Sequence, residues 1–184
     1  KRLDIPDKMI AVIMALYRNP RIRVKHGDET SEFKPQRYGI RQGCPLSPYL
    51  FILVMHVMFA DIKERKKDII AKGTIPGFDF SEILYADDTF IFGRYTPNIN
   101  KLLWKIQDES AKYGLKLNLK KCVNLTMNQG KSSVRFKTGM VVPRAKQAEY
   151  LGTILSDTNN HKIEIDGRLA ECNATANKLK IFWN

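Results

Sequence analysis

Apolar residues recur at helical spacing near the start of the chain. Ile10, Ile13, Met14 and Tyr17 lie three or four apart and share one face. Pro6, just after Asp4, suits the first turn of that helix, and Asn19 and Pro20 end it. Residues 21–25 then alternate polar and apolar, the mark of a half-buried strand. His26, Gly27 and Asp28 supply a turn, and residues 31–38 return as a second strand. Residues 39–48, with Gly39, Gly43, Pro45 and Pro48, make a shaped loop. Ser47 is placed to cap a helix whose first residue is Pro48. Leu50, Leu53, Val54, Val57, Met58 and Asp61 would share a face of it. The basic run at 63–67 suits its carbonyl end.

A break at 73–77 is followed, over residues 80–93, by two short apolar runs flanking Asp87 and Asp88. That is a hairpin pattern. Thr96 and Pro97 start another helix, with Ile99, Leu102, Leu103, Ile106 and Tyr113 on one face, and Gly114 ends it. Residues 115–150 read as strand-like, with turns around 128–130 and near Pro143. At the end, Ile165, Leu169, Cys172, Ala176, Leu179 and Trp183 alternate in steps of four and three. They predict a helix with a narrow apolar seam, too short for a coiled coil. Helices between antiparallel hairpins define an α+β class, with helices packed on one face of an antiparallel sheet.

Composition adds bounds. The 184 residues are 43% hydrophobic, enough for one compact domain with a trailing element. The net charge of +12 points to a polyanionic partner, although charge alone leaves a basic protein with no nucleic-acid role equally open. Cys44, Cys122 and Cys172 are far apart and odd in number, and His26, His56 and His161 are scattered. A zinc site and a disulfide framework are therefore disfavoured, and a reducing compartment is the default. The glycosylation patterns at Asn124 and Asn173 are short enough to arise by chance. The apolar stretch 49–60, interrupted by His56, is too short to cross a bilayer, and no signal peptide is visible. The chain opens at Lys1 without an initiator Met and reads as a piece of something longer.

The chemistry centres on Asp87 and Asp88, two carboxylates at the tip of an otherwise apolar hairpin. Adjacent Asp residues repel, and a divalent cation removes that cost. Mg²⁺ takes hard oxygen ligands, one or two protein carboxylates beside substrate phosphates. Taken alone, an Asp pair is more often a solvated turn.

The wider pattern changes this. RQGCPLSP at residues 41–48, then a helix, then YADD at 85–88, resembles the reverse transcriptases of non-LTR, LINE-type retrotransposons. YGLKLNLKKC at 113–122 resembles the family's next motif, EYLG at 149–152 its primer-grip hairpin, and the seam helix the start of its thumb. The motifs fall in order across essentially the whole chain.

That resemblance implies a right-hand polymerase: residues 1–155 as palm, with a small fingers-side hairpin near 21–38, and residues 156–184 as the start of the thumb. It implies an RNA-directed DNA polymerase working with an RNA template, a DNA primer, dNTPs and two Mg²⁺ ions, or Mn²⁺ in their place. Asp87 would bridge the metals and Asp88 assist. Tyr85 and Ala86 would lie beneath the primer end. Arg41, Gln42 and Gly43 would belong to the nucleotide and template pocket. Lys121 would act on the leaving pyrophosphate, unless it is an ordinary surface lysine. Leu151 and Gly152 would grip the primer, where an edge strand is the plain alternative. Arg18, Arg21, Arg23 and Lys25 alternate so that one strand face can track phosphates. The basic run at 63–67 reads better as a solvated helix end.

The resemblance also implies membership of a longer polyprotein, no membrane, and an intracellular, nuclear or ribonucleoprotein-associated location. This sequence departs from the pattern: the fingers and most of the thumb are not found in it, nor is one of the metal-binding carboxylates. The family's further metal-binding Asp belongs on a strand before the first helix, and neither Asp4 nor Asp7, which suit helix capping, replaces it; Asp61 lies too deep in a helix. The expectation is therefore that residues 1–184 alone are inactive. A nucleic-acid-binding remnant and a group II intron-type enzyme are the competing readings; the wording of residues 41–48 fits the LINE type better.

Overall fold

The computed structural model describes residues 3–37, 39–41, 43–64, 82–127, 130, 132–158 and 160–180. Contacts divide the chain into two compact units, Lys1–Phe51 and Ile52–Asn184. The expected break at 73–77, residues 65–67 of the basic run, Gln42, the turn residues 128–129 and Trp183 lie outside the described residues.

In the first unit, α1 spans Asp7–Tyr17. Pro6 stands just before it, with extended backbone (φ −58°, ψ 139°), and its carbonyl accepts from the Met9 and Ile10 amides at 2.9 and 3.1 Å. Pro6 is therefore one position earlier than the expected first helical turn. Ile10, Ile13 and Tyr17 are half-buried as their spacing predicts, whereas Met14 is exposed. The expected hairpin forms as two short ladders: β1 (Arg21–Ile22) with β4 (Lys34–Pro35), and β2 (Lys25–His26) with β3 (Glu29–Thr30). Gly27 takes the left-handed turn position (φ 58°). Between the ladders, Ser31 bonds Val24 twice at 2.9 Å, through its amide and through its hydroxyl. The alternation predicted half-buried strands. All four are exposed, because no second layer covers either face among the described residues.

Helix α2 (Leu46–Glu64) starts in the first unit and continues into the second. Ser47 was expected as its cap. Instead Ser47 lies inside the helix, buried, with its hydroxyl 2.6 Å from that of Tyr17. The buried stripe is Met55, Met58, Phe59 and Ile62, turned by about one residue, or 100°, from the expected face. By length and composition α2 is apolar enough to cross a membrane, longer than the apolar run in the sequence.

The second unit holds the rest. A hairpin of β5 (Glu82–Tyr85) and β6 (Asp88–Ile91) precedes α3 (Thr96–Lys112). α3 ends in a Schellman motif: Gly114 is left-handed (φ 70°), its amide bonds the Ala111 carbonyl, and the Leu115 amide bonds that of Ser110. One stripe of α3 satisfies the facing backbone. Asn100 accepts from the Arg135 amide, Trp104 donates to the Arg135 carbonyl and Gln107 accepts from the Lys137 amide. Beside it, Leu103 packs with Val134, Phe136 and Val142, with Ile91, Ile99, Leu117, Leu119 and Cys122 around them. Glu109 is buried between Lys105 and Lys112, whose ammonium groups hold its carboxyl below the usual range.

Residues 115–150 are less regular than expected. β7 (Asn124–Leu125) pairs in parallel with β8 (Arg144–Ala145), and Arg135 bridges Val141. β9 (Gln147–Tyr150) and β10 (Thr153–Ser156) form the last hairpin. α4 (His161–Leu179) follows, capped by Asn160, whose side chain accepts from the Lys162 amide at 3.0 Å. None of its residues is buried, and Ile165, Leu169 and Leu179 of the seam are exposed. The class is α+β, built among the described residues from two-stranded ladders that do not join into one sheet.

Candidate active site at the Asp87–Asp88 hairpin

Tyr85 pairs with Asp88, so Ala86 and Asp87 are the two turn residues. The strands are paired as the two short apolar runs flanking the Asp pair predict. Ala86 takes a left-handed φ of 50°. An L-residue there carries strain of about 1–2 kcal/mol, a cost that clusters where function over-determines the backbone. Tyr85, Ala86, Asp87 and Asp88 are all exposed, which leaves both carboxylates open to a ligand.

The second hairpin meets the first through aromatic packing. The Tyr150 ring lies 5.3 Å from that of Phe90, tilted by 42°, and Phe90 lies 5.9 Å from Phe92. The Tyr150 hydroxyl reaches the Ile83 carbonyl at 3.5 Å. Burial, and then the negative charge of Asp88, push the Tyr150 hydroxyl above its ordinary pKa. Tyr150 also flanks the turn made by Leu151 (φ 52°) and Gly152 (φ 73°), both left-handed as a type I′ turn demands. Leu151 is exposed in this strained position. Phe90 and Tyr150 thus join the hairpin that carries Tyr85, Ala86, Asp87 and Asp88 to the hairpin that carries Leu151 and Gly152.

The sequence reading missed that aromatic joint. It also missed the ties from Gly152 and Ile154 to α4, described below. The four-residue spacing of Glu164 and Arg168 signals their own ion pair, not the backbone groups they hold.

Lys121 is exposed in the turn after Leu119, its amide bonded to the Asn118 carbonyl at 3.1 Å. Among the described residues, no hydrogen bond or ion pair joins it to the hairpin tip. Arg41 and Gly43 belong to the first unit. Arg41 donates to the Leu16 carbonyl at 2.9 Å and lies 4.6 Å over the Tyr17 ring, so its guanidinium holds the end of α1. Gly43 is left-handed (φ 81°) with open space around it; its backbone conformation, not crowding, calls for glycine. Nearby, Cys44 meets the Tyr17 hydroxyl at 3.7 Å. Hydrogen bonds from Ser47 and then Tyr17 lower its thiol to about 7.

No three His, Cys, Asp or Glu side chains cluster for a metal among the described residues. Asp87 and Asp88 fit a hard divalent cation in donor type and exposure, as a pair that leaves coordination to other oxygens.

The profile of the reverse transcriptase (RNA-dependent DNA polymerase) family matches residues 1–155. The chain belongs to that family, a family of nucleotidyltransferases, and the resemblance read from its motifs holds. It is similar to the "Retrovirus-related Pol polyprotein from type-1 retrotransposable element R2" of Nasonia vitripennis, 24% identical over 178 residues, covering 90% of this chain and 17% of that protein. It is also similar to the "Retrovirus-related Pol polyprotein from type-2 retrotransposable element R2DM" of Drosophila melanogaster, 36% identical over 96 residues, 52% of this chain and 8% of that one. The chain thus spans less than a fifth of either relative.

Proposed function

We propose that these residues are the palm of an RNA-directed DNA polymerase, followed from residue 156 by the start of its thumb, within a retrotransposon polyprotein. The observation that carries the reading is the paired Asp87–Asp88 hairpin, in a chain that matches the reverse transcriptase family over residues 1–155.

In this reading the primer 3′ hydroxyl gives up its proton to solvent and its oxygen attacks the α-phosphorus of a dNTP chosen by the RNA template. A phosphodiester bond forms, the bond to the bridging oxygen breaks, and pyrophosphate leaves. Asp87 and Asp88 would hold two Mg²⁺ ions, with Mn²⁺ as the substitute. When bound, these ions supply Lewis-acid stabilisation of the entering and leaving oxygens. Tyr85 and Ala86 support the primer terminus, and Leu151 and Gly152 grip the strand behind it. Arg41, Gln42 and Gly43 shape the nucleotide side, and Lys121 meets the leaving pyrophosphate.

The test is primer extension on an RNA template by the longest natural polypeptide that carries these residues. Asp87→Asn should remove Mg²⁺-dependent synthesis by at least about 10³-fold; synthesis within tenfold of the parent would refute the metal role. Residues 1–184 alone are expected to extend no primer, since two exposed carboxylates make an incomplete donor set. Robust Mg²⁺-dependent extension by this segment would show the pair to be sufficient.

A further inference from the structure

The turn at Leu151 and Gly152 is strained, and the structure shows what holds it. The pair flanking a two-residue turn is hydrogen-bonded across the ladder, so the next pair, Glu149 and Ile154, is not. The Ile154 amide therefore points away from β9. It donates to Glu164 Oε2 of α4 at 2.6 Å. The other oxygen of the same carboxylate accepts from Arg168 Nε at 2.9 Å. Arg168 Nη2 in turn donates to the Gly152 carbonyl, in the turn itself. One carboxylate and one guanidinium, four residues apart on α4, thus engage the backbone at both 152 and 154. Gly167 lies between them: a Cβ there would stand 3.7 Å from Ile154 Cδ1, so helix and strand approach closely. On the other side, Tyr150 fastens the same hairpin to Phe90 of the carboxylate hairpin.

We propose that Glu164 and Arg168 are positioning residues: they latch the Leu151–Gly152 turn to α4 and so set where the primer strand rests relative to Asp87 and Asp88. This rests on the polymerase reading above. Neither side chain touches the reacting atoms; both act through the backbone they hold. Arginine suits the role because its planar fork donates in two directions at once, which a lysine ammonium matches only in part.

The experiment uses the longest natural polypeptide with an RNA template annealed to a DNA primer. Arg168→Ala should raise KM for primer–template by about tenfold while kcat for dNTP addition stays within about twofold, the signature of lost binding that ground and transition states share. Arg168→Lys should recover part of the loss. Amide hydrogen exchange should accelerate at Ile154 in Arg168→Ala and Glu164→Ala, and stay at the parent rate in Asp87→Asn. If exchange at Ile154 is unaltered in both latch variants, the latch is wrong. If exchange accelerates and primer KM does not move, its positioning role is wrong. Persistent synthesis by Asp87→Asn would instead overturn the polymerase reading itself.

Discussion

Three non-glycine residues adopt positive φ among the described residues, and two of them stand at hairpin tips: Ala86 beside the carboxylates and Leu151 in the second turn. A type I′ turn accepts Asn ahead of Gly far more readily than Leu. Leu151→Asn should therefore stabilise the second unit by about 0.5–1 kcal/mol, since an exposed Leu surrenders little burial there. Urea unfolding of the 184-residue chain checks the sign, and a lower midpoint would show that Leu151 makes an apolar contact worth more than its strain. If that leucine touches the primer, the stabilised variant should also use primer less well. At this scale the sequence was most readable where chemistry is local. Adjacent aspartates at a turn, and a glycine where the backbone turns left-handed, announce themselves. The Arg168 to Gly152 tie did not, because a surface arginine and a distant carbonyl share no local pattern.

Helices were legible as elements, and their faces less so. α3 mixes polar and apolar positions, and the expected Leu102, Leu103 and Ile106 are the apolar residues it buries. α2 is apolar almost all round, so its periodicity carried little information about which stripe packs, and the expected face was about a residue off. Between 115 and 150 the ladders depend on partners far along the chain, which local alternation does not encode. The core those segments build has a clear centre: Phe136 is fully buried. Phe136→Ala should cost about 3–5 kcal/mol, read from equilibrium unfolding of the chain. α4 carries a pH-dependent tie. The Ile154 amide, and then Arg168, hold the Glu164 carboxyl below the usual carboxylate range. A lowered folded pKa means its contribution is present above the ordinary value near 4.5 and is lost as pH falls through the lowered one. Glu164→Gln should therefore melt below the parent at neutral pH and converge with it in acid. A gap that persists well below pH 4 would show that the effect is not the carboxylate's charge.

For the chain as a whole, charge was the property easiest to read. A net +12 supports nucleic-acid binding and carries a salt signature. Affinity for a single-stranded RNA should fall linearly in log–log form, roughly three-hundredfold between about 50 and 200 mM salt, as expected for about six phosphate contacts. Fluorescence anisotropy measures it, and a flat response would remove the electrostatic argument. The division into Lys1–Phe51 and Ile52–Asn184 was not legible, because it falls inside α2, where no loop, proline or change of composition marks it. Family membership was legible because it rests on short motifs in a fixed order, which survive where contacts between distant segments cannot be read.

The cluster of Tyr17, Cys44 and Ser47 has a practical consequence. With its thiol lowered to about 7, Cys44 is about half thiolate at neutral pH, while burial raises Cys122 and makes it slower to react. In a Cys172→Ser background, which removes the exposed competitor, a maleimide dye at neutral pH should attach to Cys44. That places a single optical reporter beside the loop proposed to meet the incoming nucleotide.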